Sequence, residues 1–312
     1  MKTMIKQGLA ALFGLLFLSV AATAGEARLK PFTLAANVTG IGFDTYARQI
    51  RNKLHRAGFR ILGTYVPYDG AKIFVITDKG MERAAVQTRY GAFGAVLKVA
   101  VTRVGNTIQV SYNNPAYLAL AYNMGVDLRD VRRRLKNSIG ALQDFGSKEG
   151  IAASDLPGYT YMFGLEGFDD VWELAEFSSH AAALKNVEQG LDRGEYGIRQ
   201  VFRLDLPGGK QTLFGISMQA DVENNPFLND AYVMEVVDYT TIKHTAHLPY
   251  EILVDGNQVL AMHAHFRLAI NFPELRMFGK HSFGKLMDLP YVYEEYLTRT
   301  VGGQWPPAGQ DW

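Results

Sequence analysis

The chain has 312 residues, no cysteine, and 32 Lys and Arg residues against 31 Asp and Glu residues. The lack of cysteine excludes disulfides, thiol nucleophiles and thiolate metal sites. The balanced charge argues against a nucleic-acid binder, because such proteins need a basic face. A hydrophobic content of 48% is enough to build cores that hold the fold without disulfides.

The chain begins with the pattern of an export signal. Lys2 and Lys6 accompany an apolar stretch at 9–20, and Ala22-Thr23-Ala24 matches a small-x-small cleavage site. The pattern predicts cleavage just after this triplet, near Gly25, and a periplasmic or secreted protein, with an uncleaved anchor as the alternative. The apolar stretch is shorter than the roughly 20 residues of a membrane span. No stable membrane insertion is therefore expected once the signal is removed.

The predicted organisation is a signal peptide (1–24), an N-terminal extension (25–41), two α+β units, a linker and a flexible tail. In the first unit (42–145), Asp44 is a candidate N-cap for a helix that Gly58 ends. Further along, Asp127 is a candidate cap for a second helix that reaches about residue 145. The strands predicted between these helices are 59–66, 72–77, 95–104 and 107–112.

The linker (146–158) is rich in Gly, Ser, Ala and Asp, and it precedes the second unit (159–301). This unit is predicted to open with a helix from Gly167 to about residue 189. A strand pair, a further strand, a hairpin and a closing helix follow, at 198–206, 211–220, 231–237, 250–266 and 288–300. The hairpin turns at Asp255-Gly256-Asn257, which is typical of a tight β-turn. Residues 302–312 are expected to be a flexible tail.

The two units share a pattern that indicates an internal duplication. When Gly105-Asn106 is aligned with Gly256-Asn257, Tyr112 aligns with His263 and Asn114 aligns with His265. Gly-Phe-Asp triplets at 42–44 and 167–169 begin the two units. The predicted fold class is therefore α+β, with two related α/β-sandwich units, each an antiparallel sheet covered on one face by helices.

Two motifs resemble the domain-of-unknown-function 302 family. One is the run from Asn113-Asn114-Pro115 to Ala119 at the end of a strand, and the other is Leu248-Pro249-Tyr250-Glu251-Ile252 with Val254. The resemblance covers most of residues 40–145 and, more loosely, 165–275, so the chain resembles two tandem, diverged copies. It implies a small α+β sandwich and a tendency of the domains to pair. It supplies no activity and no catalytic residues.

Histidines are concentrated in the second unit. His263 and His265 are two residues apart on a predicted strand, so both side chains should point to one face, as a pair of metal ligands would. His281 is the third candidate ligand, and His244 and His247 lie in the same region. A His and Met set would suit copper and a His-only set zinc. Noncovalent haem is a further alternative, and the last is that these are ordinary hydrogen-bonded histidines.

The sequence predicts an exported, non-catalytic binding or accessory protein for a metal ion or small molecule, with its site near His263 and His265. One alternative is an enzyme that uses either histidine as acid or base. The other is a protein–protein assembly module in which the histidines are incidental. The expected partner is a small molecule or metal ion, and a homodimer or a periplasmic protein partner is a further alternative.

Overall fold

The computed structural model describes residues 26–162 and 164–306 of the protein. The predicted signal peptide (1–24) and residues 307–312 of the predicted tail lie outside this part of the chain. Within it, eight α-helices and 13 strands form an α+β fold with antiparallel sheets, so the predicted fold class is confirmed. None of the described helices is both long and apolar enough to cross a bilayer.

The first half of the described chain extends to residue 158. Its elements, in chain order, are β1 (Arg28–Leu29), β2 (Phe32–Val38), α1 (Phe43–Arg56), β3 (Arg60–Tyr65), β4 (Ala71–Thr77), α2 (Lys79–Ala85), β5 (Leu97–Val104), β6 (Thr107–Asn113), α3 (Pro115–Ala121), α4 (Arg129–Ile139), β7 (Gln143–Phe145) and β8 (Ile151–Ala152). The first sheet has the strand order β3-β4-β5-β6-β2-β7, and β1 pairs with β8 outside it.

The second half begins at residue 159. Its elements, in chain order, are β9 (Val171–Glu176), α5 (His180–Arg193), β10 (Ile198–Asp205), β11 (Gln211–Met218), α6 (Asp230–Val237), β12 (Tyr250–Asp255), β13 (Gln258–Met262), α7 (Ala264–Asn271) and α8 (Leu289–Val301). The second sheet has the strand order β10-β11-β12-β13-β9.

The strand orders of the two sheets match element by element. In each half a strand and a helix come first, then two hairpins, and the first strand returns to pair beside the last one. Thus β2, α1, β3, β4, β5 and β6 correspond to β9, α5, β10, β11, β12 and β13. The matching strand orders are compatible with the predicted duplication.

This correspondence corrects two expectations. Residues 32–38 are not an extension, because β2 pairs with β6 on one side and with β7 on the other. The Gly-Phe-Asp triplets are also not equivalent, since Gly42 is the N-cap of α1 while 167–169 precede the strand β9. The helix that corresponds to α1 is α5, whose cap is Ser179. The sequence around β2 does not indicate this strand pairing, because its partner β6 lies far along the chain.

Two further elements differ from the sequence-based expectation. Residues 231–237 lie in the helix α6 and not in a strand, because the Asn229 side chain caps them by accepting hydrogen bonds from the Ala231 and Tyr232 amides. The local cap outweighs the strand preference of this apolar run. The helix expected from Asp127 to residue 145 ends at Ile139, where Gly140 turns the chain into β7.

Each sheet contributes to two cores. In β4, Phe74 faces the core formed with the helices of the first half, whereas its neighbour Ile73 joins the core of the second half. In the same way, Leu253 of β12 joins the first core and Ile252 the second. Alternation along a strand places successive side chains on opposite faces. The central strands of each sheet are therefore buried on both faces, and both cores take residues from both halves.

The halves also exchange connecting segments. The chain between β11 and β12 lies over the first sheet, where Gln109 of β6 donates to the Thr241 carbonyl (3.0 Å) and accepts from the Lys243 amide (2.9 Å). Reciprocally, the turn Gly91–Gly94 between β4 and β5 contacts β11 and β12. The edge strands β3 and β10 also touch, and a Cβ on Gly63 would lie 2.4 Å from the Val201 carbonyl oxygen. The two halves thus pack as one unit with reciprocal contacts.

Candidate functional site

The hairpin β12–β13 ends in a helix cap that a histidine provides. β13 stops at Met262, which pairs with Val171, the first residue of β9, so the neighbouring strand offers no further partner. His263 follows as the N-cap of α7, and its Nδ1 accepts a hydrogen bond from the His265 amide at 3.2 Å. The prediction that both histidines lie on the strand is therefore wrong, although they remain side by side.

The first half has the same cap with a different residue. Asn114 follows β6 and caps α3, with its Oδ1 accepting from the Ala116 amide at 3.2 Å. Because β13 is two residues shorter than β6, the structure places His263 at the position of Asn114. The alignment of His265 with Asn114 is thus off by two residues. Asparagine is among the best N-caps, so helix capping alone does not explain the histidine at position 263.

A carboxylate completes a cluster with the two histidines. Glu166, from the segment before β9, places Oε2 2.9 Å from Nδ1 of His265 and 3.5 Å from Nδ1 of His263. One potential metal-ligand atom from each of the three residues lies within 4.8 Å of the others. We refer to Glu166, His263 and His265 as the His–Glu cluster.

Aromatic side chains hold the two imidazole rings. The His263 ring lies 4.6 Å from the Trp172 ring, and the His265 ring lies 6.4 Å from the Phe283 ring. The two imidazoles are themselves 5.1 Å apart. Their side chains are 13% and 15% exposed, whereas the Glu166 side chain is 33% exposed. The histidines are thus fixed and mostly shielded, and solvent reaches the cluster chiefly on the Glu166 side.

The environment sets the charges of the cluster. Burial lowers the pKa of His263 to about 4, and His265 acts in the same direction while Glu166 and Asp170 oppose it. Burial disfavours the ionised form of Glu166, but hydrogen bonds from its own backbone amide and from His265 outweigh this and hold its pKa below the ordinary value. Near neutral pH the cluster therefore offers an ionised carboxylate beside an unprotonated His263.

The hydrogen bonds indicate the tautomers. Nδ1 of His263 accepts from a backbone amide, so it carries a lone pair and no proton. Nδ1 of His265 is 2.9 Å from an ionised carboxylate, so it carries the proton. A metal ion would replace that proton and take both lone pairs, because metal ligands must be deprotonated.

The other histidines lie elsewhere. His281 is not part of the His–Glu cluster, since its Nδ1 lies 3.1 Å from the Val236 carbonyl oxygen and its ring stacks on Tyr239 at 4.7 Å. His244 pairs with Asp238, and His247 is fully buried with a pKa held well below its ordinary value by burial. The third potential ligand beside His263 and His265 is therefore Glu166 and not His281, which the sequence suggested.

The structure also bears on copper and haem. Met262 is 1% exposed and packs in the first core, so it is no ligand of the cluster. A bis-histidine haem would need the His263 and His265 rings on opposite faces of a porphyrin. Both Nδ1 atoms instead lie within 3.5 Å of one Glu166 oxygen. The donor set fits a single small cation better than a porphyrin.

Comparisons with protein-family models, with curated proteins and with solved structures found no match to this chain. The residues themselves therefore carry the functional argument. Sequence reasoning found two of the three members of the cluster. It missed Glu166, because an acid in an irregular segment 97 positions before His263 follows no spacing rule.

Proposed function

We propose that the protein binds one divalent metal ion of the zinc type through Glu166, His263 and His265. The observation that carries this proposal is the convergence of one carboxylate and two imidazoles within 4.8 Å. Two His and one Glu are a known zinc ligand set, in which a fourth position stays open for water or another ligand. This proposal keeps two of the three ligands expected from the sequence and replaces His281 by Glu166.

The distances support a tetrahedral ion. Two atoms that each lie about 2.1 Å from a tetrahedral zinc ion are about 3.4 Å from each other. Nδ1 of His263 is 3.5 Å from Oε2 of Glu166, close to this value. Nδ1 of His265 is 2.9 Å from the same oxygen, which is a hydrogen bond that a small shift would open. Binding of the ion through Nδ1 would replace the hydrogen bond from the His265 amide to His263 and the contact between His265 and Glu166.

The protonation state supports binding near neutral pH. Protons compete with metal ions for imidazole nitrogens. Because burial lowers the pKa of His263 to about 4, this ligand meets little such competition above about pH 5. The ionised Glu166 supplies the negative charge that a divalent cation requires.

We further propose that the protein is exported and acts as a metal-binding or accessory protein without catalysis of its own. The basic start, apolar stretch and Ala22-Thr23-Ala24 triplet support export. The matching strand orders of the two sheets are compatible with two copies of a small α+β unit, as the resemblance to the domain-of-unknown-function 302 family implies. That family assignment stays a prediction.

Calorimetric titration of the chelator-treated protein with zinc tests the proposal. We expect one equivalent of zinc to bind. Loss of a side chain that only hydrogen-bonds to a metal ligand weakens metal binding about 10- to 100-fold. Glu166→Gln removes a ligand itself, so it should weaken zinc binding by at least this factor. His281→Ala and His55→Ala, which change histidines outside the cluster, should leave the affinity unchanged. Copper(II) should bind more tightly than zinc at the same residues. Zinc binding that survives Glu166→Gln and His265→Ala would refute the assignment.

A second candidate is acid–base catalysis by His265. It rests on the 2.9 Å contact between Nδ1 of His265 and Glu166, because a carboxylate in that position orients an imidazole and fixes its tautomer. The two functions make opposite predictions for a metal-free protein. A catalytic His265 would turn over its substrate after chelation, whereas a metal-binding protein would lose its ligand-dependent stabilisation.

A further inference from the structure

A cleft of about 550 Å³ opens between the two halves, away from the His–Glu cluster. Its walls come from residues 145–148 after β7, residues 237–244 after α6, and residues 272–276 after α7. None of the three cluster residues lines it. Ligand pockets commonly measure about 300–1,000 Å³ and occur at the junctions of domains. The cleft therefore has the size and the place of a small-molecule site.

The floor of the cleft is aromatic and surrounds one histidine. The His244 ring lies 5.1 Å from the rings of Phe145 and Phe272 and 5.3 Å from that of Phe32. Phe145 and Phe272 also line the cleft. Aromatic side chains favour the flat, apolar body of an aromatic ligand.

Asp238 fixes the orientation of His244. Its Oδ1 lies 3.0 Å from Nδ1 of His244, and its Oδ2 accepts from the His244 backbone amide at 2.9 Å. The carboxylate and the imidazole are both buried. In the neutral tautomer that donates from Nδ1 to Asp238, Nε2 is an acceptor, and the hydrogen bonds of His244 within the described part of the chain are made by Nδ1 and the backbone. A ligand at the floor would thus meet a fixed hydrogen-bond acceptor.

The rim of the cleft carries unpaired positive charge. The exposed side chains of Lys148 and Arg276 both line the cleft, and neither forms an ion pair within the described part of the chain. The one acidic side chain in the lining is Glu274, and its carboxylate accepts a hydrogen bond from the Lys148 backbone amide. The charges of Lys148, Arg276 and Glu274 sum to +1. Such a rim favours an anionic group, above all a carboxylate.

We propose that this cleft binds a small hydroxyaromatic carboxylate. The ring lies on Phe145 and Phe272, the hydroxyl donates to Nε2 of His244, and the carboxylate faces Lys148 and Arg276. Tyr239 forms a further wall and is held by its stack on His281. His281 therefore supports this cleft, although the sequence placed it in a metal site. The proposal does not depend on metal binding at the His–Glu cluster.

Three matched compounds test the proposal, with binding followed by fluorescence or calorimetry on the metal-free protein. We expect saturable binding of para-hydroxycinnamate. Cinnamate, which lacks the hydroxyl, and para-hydroxycinnamyl alcohol, which lacks the carboxylate, should each bind about tenfold more weakly. Failure of para-hydroxycinnamate to saturate the protein at millimolar concentration would overturn the proposal, and so would equal binding of all three compounds.

Variants then assign the groups. Lys148→Ala with Arg276→Ala should weaken para-hydroxycinnamate about tenfold and leave the alcohol unchanged, whereas Lys185→Ala, at an exposed position on α5, should change neither. His244→Gln should abolish the preference for the hydroxyl. If the buried His244 variant does not fold, comparison of the double variant Lys148→Ala with Arg276→Ala and the control Lys185→Ala still tests where the carboxylate binds. Binding that is insensitive to Lys148→Ala with Arg276→Ala would contradict the assigned orientation.

Discussion

Lys98 of β5 and Glu251 of β12 form an ion pair between the two sheets, in the interior of the protein, where their side chains are 3% and 0% exposed. Arg267 of α7 adds a second contact, with Nη2 3.1 Å from the other Glu251 oxygen. Burial lowers the pKa of Lys98, and the Glu251 charge opposes this shift. One carboxylate thus contacts cationic side chains from both halves.

Replacement of Glu251 by Gln should therefore destabilise the protein severely. The change leaves Lys98 and Arg267 buried without a counter-charge, and loss of one partner of a buried pair costs about 3–5 kcal/mol. Lys98→Met should cost less, because the Arg267–Glu251 contact remains. Urea unfolding gives both free energies, with Glu173→Gln, at an exposed position on β9, as control. If the free energies of unfolding of Glu251→Gln and of this control differ by less than about 1 kcal/mol, the pair does not stabilise the fold.

Asp230 should make the protein less stable as the pH rises above about 4. This residue of α6 is buried and accepts from the Tyr65 hydroxyl of the first half at 2.6 Å. Burial raises its pKa to about 6, so the folded protein keeps the proton that the unfolded chain releases near pH 4. The sign follows from linkage: stability is lost between about pH 4 and pH 6.

Asp230→Asn removes this dependence. Relative to the unmodified protein, the variant should gain about 3 kcal/mol of unfolding free energy between pH 4 and pH 7. Asp192→Asn, at an exposed position on α5, should show no comparable gain. Urea titrations at several pH values measure the difference, and a constant difference for Asp230→Asn would contradict the raised pKa.

His263→Asn should separate structure from metal binding, because it copies the cap that Asn114 provides in the first half. The variant should be at least as stable as the unmodified protein at pH 7. Burial lowers the pKa of His263 to about 4. Between about pH 4 and pH 6.5, His263 is therefore unprotonated in the folded protein and protonated in the unfolded chain. Stability is therefore lost as the pH falls from about 6.5 to 4.

The asparagine variant should lack most of this acid-induced loss, which is roughly 2–3 kcal/mol, and it should also lose zinc stabilisation. His55→Asn on the exposed face of α1 serves as control. An unchanged pH profile for His263→Asn would show that this histidine does not titrate as its environment indicates. Retained zinc stabilisation would remove His263 from the ligand set.

The sequence predicts those parts of the fold that have local signals. The turn at Gly256 and the helix α8 were found because turn chemistry and helical periodicity act over a few residues. The pairing of β2 with β6 was missed, since it depends on residues about 75 positions apart. The strand assigned to 231–237 was wrong because the Asn229 cap outweighs β propensity.

The site residues that the sequence predicted correctly are likewise those that lie close together in the chain. His263 and His265 were found because two histidines close in sequence are close in space, whatever the element. Glu166 was missed, and so was the pairing of His244 with Asp238, because both depend on how loops pack. His281 was assigned to the metal by proximity in sequence alone, and the fold places it beside Tyr239.

Anomalous scattering at the zinc edge from zinc-soaked crystals tests the central claim most directly. The proposed function predicts one peak about 2.0–2.2 Å from the Glu166 carboxylate, from His263 and from His265. The peak should be absent from crystals of Glu166→Gln soaked in the same way. A zinc ion bound at His281 or at another surface histidine, with none between Glu166, His263 and His265, would contradict the claim.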